Sequence, residues 1–244
     1  MNQQNFPIPD AQFRHEWKFE ISAADMIQIR HRLQLVASLD PHARRGGKSY
    51  LIRSLYFDTP KDAALGEKID GVDSREKFRL RCYNGDFERV RLEKKYKAYG
   101  VGQKFSAPLS REETQDLLEN RLDWLEKEWD KALSGQAHRE LVLELAYKMR
   151  EFQLSPKTIV EYTREPYVFA PGNVRVTFDY NLHTGLWGVD FLNRNAPLVP
   201  AGDAPLLMEV KWDRFLPAVI QDAILSTGRP VTSFSKYAQC RIYG

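Results

Sequence analysis

Residues 77–83 read Lys-Phe-Arg-Leu-Arg-Cys-Tyr, and residues 89–95 read Arg-Val-Arg-Leu-Glu-Lys-Lys. Charged or polar residues occupy the odd positions of both stretches, and apolar residues occupy most of the even positions. Because the side chains of a strand alternate between the two faces of a sheet, each stretch predicts a strand with one face dense in Arg and Lys. Asn84-Gly85-Asp86 predicts a hairpin turn between them. Neighbouring cations repel unless water or an anion solvates them, so the pattern indicates a sheet built around a polyanion.

Three further segments, residues 13–21, 174–180 and 206–212, show the same division into a charged and an apolar face. Their period of two predicts strands that are half buried. Taken together, the polar strand faces carry Arg14, Glu16, Lys18, Arg79, Arg81, Arg91, Glu93, Lys95, Arg175, Asp179, Glu209 and Lys211. This mixture of many cations with a few carboxylates suits a phosphate chain, because guanidinium and ammonium groups bind its oxygens and carboxylates hold a divalent metal that bridges them.

The strands come in pairs compatible with antiparallel hairpins and do not alternate regularly with helices, which predicts an α+β fold. Helix start signals at Ser22 and Ser110 supply elements that can cover the apolar strand faces. Two architectures fit: an open sheet with a solvated face, and a closed antiparallel β-barrel tunnel with a charged lumen and helices packed on the outside. We expect residues 1–12 to form a flexible N-terminal tail and residues 13–244 to form a single domain.

Composition excludes several classes of function. The net charge is only +3, so a general nucleic-acid coat is not indicated, and the two cysteines match no disulfide framework or metal-binding spacing. The sequence has no P-loop glycine motif and no Gly-x-Ser-x-Gly elbow. It has no apolar run near the roughly 20 residues of a membrane span and no secretory signal pattern. We therefore expect a cytoplasmic protein without a membrane span.

Short segments along the chain resemble the VTC domain, the polyphosphate polymerase domain of the triphosphate tunnel metalloenzyme (CYTH-like) superfamily. The resemblance rests on their order and covers about residues 13–237. The segments are residues 14–19 (RHEWKF), 54–59 (SLYFDT), 78–83 (FRLRCY), 92–95 (LEKK), 162–164 (YTR), 174–179 (VRVTFD), 208–211 (MEVK) and 234–237 (FSKY).

The resemblance implies an antiparallel tunnel whose interior cations bind the triphosphate of ATP, with a Mn²⁺ or Mg²⁺ ion held by a glutamate. Carried over by position, the phosphate ligands are Lys18, Arg79, Arg81, Lys95, Arg164, Ser235 and Lys236, and the metal ligand is Glu209. Strand parity adds Lys211 as a further phosphate ligand, and Glu16 and Glu93 as further metal ligands, on the same face. The expected partners are ATP and inorganic polyphosphate, with no specific nucleic acid.

Two departures from the family pattern bear on activity. In the hydrolytic members of the superfamily that this chain resembles, the first strand carries the pattern Glu-x-Glu-x-Lys. This chain has Arg14 in the first of these positions, which favours the polymerase branch. In the polymerases that this chain resembles, the C-terminal motif reads Lys-Phe-Ser-Lys. This chain has Ser233 in place of the first lysine, so the motif carries one cation fewer. Polyphosphate synthesis from ATP is the leading hypothesis. A triphosphatase in the same tunnel, a polyanion-binding module without turnover, and a solvated sheet with no anion site are the alternatives.

Overall fold

The computed structural model describes residues 14–44, 47–98, 101–125 and 137–242. The strands are β1 His15–Ile21, β2 Ser38–Leu39, β3 Tyr50–Asp58, β4 Arg75–Tyr83, β5 Val90–Ala98, β6 Val101–Leu109, β7 Ser155–Phe169, β8 Val174–Thr184, β9 Val199–Pro200 and β10 Leu206–Trp212. The α-helices are α1 Ala23–Val36, α2 Pro41–Arg44, α3 Ala63–Ile69, α4 Arg111–Leu118, α5 Ala137–Glu151, α6 Ala218–Ile224 and α7 Lys236–Ile242, and short 3-10 helices span Pro171–Asn173 and Leu225–Thr227. The predicted N-terminal tail lies outside the described residues.

The strands form one antiparallel sheet with the order β1-β10-β8-β7-β3-β4-β5-β6, to which β2 and β9 add short edges. Five strands separate β1 from β5, which in a flat sheet would place them about 29 Å apart. Nevertheless, the carboxylate of Glu16 on β1 interacts electrostatically with Lys95 on β5. The sheet is therefore curled into a half-barrel, and within the described residues no ladder joins the edge strands β1 and β6. The predicted α+β fold, an antiparallel barrel-like sheet with helices on the outside, is confirmed, and the described strands form it as a half-barrel.

Helices cover the convex side of the sheet, as the apolar strand faces require. The side chains of Ser22 and Asp25 form a capping box that starts α1, and Met26, Ile29 and Leu33 follow at helical spacing and are buried. These three side chains and the apolar side chains of α6 pack on the apolar face of β1, β8 and β10. A second core lies under α4 and α5, on the apolar face of β4, β5 and β6. No helix in the described ranges is both long and apolar enough to cross a membrane.

Helix α7 lies on the opposite, concave side. The ring of Tyr237 stacks on Tyr56 of β3 with ring centroids 4.8 Å apart, and its hydroxyl donates to Asp58 Oδ2 at 2.7 Å. Cys240 and Tyr237 join Ile52 in a third apolar cluster. The sequence predicted a strand or turn for residues 232–237, and the structure instead starts a helix at Lys236. The concave face is thus divided between an apolar part under α7 and a charged part.

Candidate functional site

The first group of charges on the concave face, here called the Glu93 cluster, consists of Arg79, Arg81, Glu93 and Lys104. Arg79 Nε and Nη2 donate to Glu93 Oε2 at 2.8 and 2.6 Å, and Arg81 Nη1 lies 3.8 Å from the same oxygen. Lys104 Nζ contacts Glu93 Oε1. Glu93 is 0% exposed, and although burial opposes ionisation, the three cations hold the pKa of its carboxyl well below the ordinary value. The cluster carries three cations on one carboxylate.

The register of the sheet builds this cluster. Arg79 lies opposite Glu93 in the β4–β5 ladder and opposite Tyr56 in the β3–β4 ladder. The Tyr56 hydroxyl accepts a hydrogen bond from Arg79 Nη1 at 2.8 Å. Ser54 and Tyr162 accept from Arg81 at 3.0 and 3.3 Å. Both guanidinium groups are therefore held in place before any ligand arrives, which lowers the cost of ordering them on binding.

The second group, here called the Glu209 cluster, lies on β1, β7, β8, β10 and the start of α7. Its members are Glu16, Lys18, Arg164, Asp179, Glu209, Lys211 and Lys236. Lys236 Nζ lies 3.1 Å from Glu209 Oε1 and 2.6 Å from Asp179 Oδ2. Arg164 forms a bidentate pair with Asp179 at 2.6 and 2.6 Å. Lys18 lies 3.8 Å from Glu209, and Lys211 lies 3.1 Å from Glu16 and 3.6 Å from Glu209.

The pKa shifts in the Glu209 cluster follow from burial and charge. Burial raises the pKa of the Glu209 carboxyl, but Lys236, Lys18, Lys211 and Arg164 outweigh it and hold this pKa well below the ordinary value. The pKa of Lys236 is raised, because Asp179 and Glu209 overcome the burial of the ammonium group. The carboxylates of this cluster are ionised at neutral pH, and each of them is paired with at least one cation.

A row of lysines on neighbouring strands, Lys77, Lys95 and Lys104, crosses the β4–β6 side of the concave face. Lys95 lies opposite both of the others in the ladders. Like charges directly opposite one another destabilise a sheet. Lys104 is paired with Glu93, but within the described residues no carboxylate lies within 4.0 Å of the Lys95 ammonium group.

The pKa values of the three lysines in this row are lowered. Burial among protein atoms lowers the pKa of Lys95 well below the ordinary value, and the cations Lys211, Arg79 and Lys18 lower it further. The Lys95 residue is nevertheless exposed to solvent. Burial and the neighbouring Lys68 lower the pKa of Lys77 to about 8. An anion placed here would offset the repulsion among the lysines and would compensate for the water that their ammonium groups have lost.

Ser235 lies immediately before Lys236 and accepts a hydrogen bond from the backbone N–H of Ala238 at 3.3 Å. It therefore caps the start of α7 beside the Glu209 cluster. The backbone carbonyl of Phe234 accepts from Lys18 Nζ at 3.3 Å and links this segment to β1. The predicted phosphate ligands thus lie on one concave face, distributed between the two clusters and the lysine row.

The carboxylates predicted as metal ligands are divided between the clusters. Glu16 and Glu209 lie on neighbouring strands, and the ammonium group of Lys211 lies between their oxygens. Glu93 lies in the other cluster, surrounded by cations. Within the described residues no group of three His, Cys, Asp or Glu side chains could hold a metal ion alone. Two carboxylates on one face nevertheless fit Mg²⁺ or Mn²⁺, because such hard ions take one or two carboxylates and complete their coordination with phosphate oxygens and water.

The structure adds residues that the sequence did not assign to the site. Lys104 lies in residues 98–109, whose Gly100, Gly102 and Pro108 predicted a loop, yet Val101–Leu109 is strand β6. Tyr56 belongs to the site through its hydroxyl, which accepts a hydrogen bond from Arg79. Asp179 was predicted to lie on a polar face without a role, and it is 2% exposed between Arg164 and Lys236. Strand parity located Asp179 on the polar face but could not give its partners.

Solved structures from several organisms align with this chain. A protein from Hippeastrum, described as a putative adenylyl cyclase with a dominant triphosphatase activity, aligns over 93% of this chain and 94% of its own with a TM-score of 0.50 and 14% identity. Putative adenylate cyclases from Vibrio parahaemolyticus (TM-score 0.48, 10% identity, 92% and 97% covered) and Bacillus halodurans (0.44, 15%, 87% and 87%) also align. The Hippeastrum alignment shows a shared fold.

Sequence comparison identifies the family directly. No curated protein matches this chain. The family model described as the VTC domain matches residues 13–242, which includes every strand and both ionic clusters. The chain belongs to the VTC domain family.

Proposed function

We propose that this protein is a metal-dependent phosphotransferase that moves the γ-phosphoryl group of ATP to the end of an inorganic polyphosphate chain on the concave face. One observation carries the proposal. Cations from β1, β4, β5, β7, β10 and α7 converge on one face, and the ammonium group of Lys95 remains unpaired among the described residues there. Unpaired cations that face one another destabilise a protein, whereas a condensed phosphate would pair with them.

The Glu93 cluster and Lys95 fit the role of a phosphate clamp. Arg79 and Arg81 are fixed by Glu93, Tyr56 and Ser54, so their remaining donors have a set direction. Fixed guanidinium groups recognise phosphate oxygens in pairs, which a flexible lysine does not. Lys18 approaches from the opposite side of the half-barrel, where it is only weakly paired, at 3.8 Å from Glu209 and 3.9 Å from Glu16.

The metal would be held by Glu16 and Glu209, whose paired lysines can turn to substrate phosphates. A divalent ion there would supply charge neutralisation at the phosphate oxygens. Glu93 reaches the same concave face, but because three cations occupy its oxygens, we assign it to positioning Arg79 and Arg81.

The reaction needs no nucleophile from the protein. A terminal oxygen of polyphosphate forms a bond to the γ-phosphorus while the bond from that phosphorus to the β,γ-bridging oxygen breaks, and ADP leaves with the electron pair. The cations align the two phosphate chains and stabilise the charge that develops on the transferred group, which is the main source of catalysis in phosphoryl transfer. Phosphate beside Lys95 would raise the pKa of its ammonium group again and so stabilise its positive charge.

The direct test is to incubate the purified protein with ATP, a short polyphosphate primer, and Mn²⁺ or Mg²⁺, and to separate the products by gel electrophoresis. The proposal predicts ADP together with phosphate chains longer than the primer. Absence of chain growth across metals and primers would reject it.

A triphosphatase that uses water as acceptor is the second candidate. The description of the structurally similar Hippeastrum protein names triphosphatase activity, which makes the same reaction reasonable here. Arg14 counts against it, because a cation replaces a carboxylate of the hydrolytic pattern; the guanidinium is paired with Asp213 at 2.8 Å. Release of orthophosphate from ATP without chain growth would select this candidate over the first.

A further inference from the structure

A small pocket adjoins the charged face at the ends of β3 and β4. It lies between the first turns of α3 and the segment that follows α5, and its cavity volume is about 220 Å³. The buried rings of Phe57 and Phe78 and the exposed ring of Phe152 form its apolar walls. Lys148 links two of these walls, with its ammonium group 5.9 Å from the Phe78 ring and 5.5 Å from the Phe152 ring.

Lys77 connects this pocket to the phosphate clamp. It lines the pocket, and it also lies on the concave strand face two residues before Arg79, about 7 Å along β4. Its ammonium group lies 5.0 Å from the ring of Tyr237 on the concave side. A ligand with phosphates on Arg79 can therefore extend past Lys77 and place its other end in the pocket.

The charge of the pocket disfavours a phosphate chain. Three carboxylates, those of Asp58, Glu67 and Glu76, line it against two cations, Lys77 and Lys148, and Lys148 is already paired with Glu76. Burial and the neighbouring carboxylates Glu76 and Asp58 raise the pKa of Glu67, as expected for a group in an acidic, partly desolvated site. The pocket therefore suits an uncharged group that carries hydrogen-bond donors.

We propose that this pocket holds the base of the nucleoside triphosphate whose phosphates bind to Arg79 and Lys95, and this inference rests on the proposed function. A cavity of this size is smaller than the roughly 300–1,000 Å³ of sites for drug-sized ligands, so it takes a ring system and not a whole nucleotide. Aromatic side chains stack on bases of any sequence. The carboxylate of Glu67 can accept a hydrogen bond from the exocyclic amine of adenine.

The pocket would give the site a means of distinguishing donor from acceptor. Both carry phosphates that the cations bind alike, but only the nucleotide has a base. Phe152 is the best residue for a test, because it is 54% exposed and its loss leaves the core intact. Phe215, 57% exposed and away from the pocket, gives a matched control.

The experiment measures binding of ATP and of tripolyphosphate by calorimetry with EDTA present, so that turnover does not intervene. Phe152→Ala is expected to weaken ATP binding about tenfold, the scale of one stacked base, and to change tripolyphosphate binding less than about twofold. Phe215→Ala is expected to change neither. If Phe152→Ala affects both ligands equally or affects neither, the base site is wrong while the phosphate site stands. If the unmodified protein binds neither ligand, the proposed function fails and the base site fails with it.

Discussion

The two sides of the concave face balance their charges differently. On the β4–β6 side, three cations share Glu93, and Lys77 and Lys95 have no carboxylate as an ion-pair partner among the described residues. On the β1–β10 side, the four cations of the Glu209 cluster meet three carboxylates. The excess positive charge therefore lies on the β4–β6 side, and three of these four carboxylates lie on the β1–β10 side.

This asymmetry separates two tasks. The side with excess cations suits phosphate, because an anion there relieves repulsion as well as forming hydrogen bonds. The side with paired carboxylates suits a divalent ion, because its glutamates are already ionised at neutral pH. Substitutions on the two sides should therefore have different effects. Those on the β4–β6 side should weaken phosphate binding, and those on the β1–β10 side should lower metal-dependent turnover.

The largest effect is expected for Glu209→Gln. Removing the charge while keeping the shape should lower metal-dependent turnover at least about 100-fold, the scale of losing one main electrostatic contribution to catalysis. Binding of tripolyphosphate in EDTA should stay the same or tighten, because one negative charge near the phosphates is gone. Turnover should be measured by ADP release at saturating ATP and metal. Turnover within a few-fold of the unmodified protein would show that this side does not hold the metal.

The next largest effect is expected for Arg81→Ala on the other side. Loss of a charge-assisted hydrogen bond should weaken tripolyphosphate binding by about 1.5–3 kcal/mol, measured by calorimetry. Glu93 keeps Arg79 and Lys104 as partners, so the fold should persist. Arg89→Ala, at an exposed turn where the side chain is 88% exposed, is the matched control and should change nothing. Unchanged affinity in the Arg81 variant would remove Arg81 from the site.

A smaller and opposite pair of effects is expected for Lys95→Met. Binding of tripolyphosphate should weaken about tenfold, because an unpaired cation is lost. Stability should rise by up to about 1 kcal/mol, because repulsion from Lys211 and Arg79 ends and solvent screening limits the gain. Urea unfolding and calorimetry measure the two quantities. A variant that loses both affinity and stability would show that Lys95 has an ordinary structural role.

The smallest effect is expected from pH. A lysine with a lowered pKa loses its charge at a lower pH than usual, and Lys77 does so near pH 8. Bound phosphate favours the protonated form, so affinity for tripolyphosphate should fall several-fold as pH rises from about 6.5 to about 9.5, with proton uptake on binding in the upper part of that range. Calorimetry in buffers of different ionisation enthalpy measures this uptake. Lys95→Met should reduce it, and an unchanged pH profile in that variant would contradict the lowered pKa of Lys95.

The sequence predicted which residues share a face but not which of them touch. A period of two follows directly from strand geometry, so the alternation of residue types alone assigns Arg79, Arg81 and Lys95 to one side of the sheet. The pairing of Lys236 with Asp179 depends on how far the sheet curls and on a helix entering the concave side, and neither leaves a periodic signal. Strand β6 was missed because its Gly and Pro residues are typical of loops, although Pro108 lies near the end of a strand at the sheet edge.

Sequence motifs that act within a few residues predicted helix starts and a turn correctly. The capping boxes at Ser22 and Ser110 start α1 and α4 as predicted, because a cap is satisfied by atoms three residues away. Asn84 and Gly85 form the predicted turn directly after β4, and both have the positive φ that it requires, although β5 begins only at Val90. Helix α3 had no comparable signal, since its N-cap Asp62 makes no side-chain hydrogen bond to the helix.

A crystal structure of the protein soaked with tripolyphosphate tests the convergence of these cations most directly. We expect phosphate oxygens within hydrogen-bond distance of Arg79 and Lys95, with Lys18 approaching the same chain from the other side. Tripolyphosphate bound only on the convex surface, with the Lys95 ammonium group in contact with solvent alone, would contradict it.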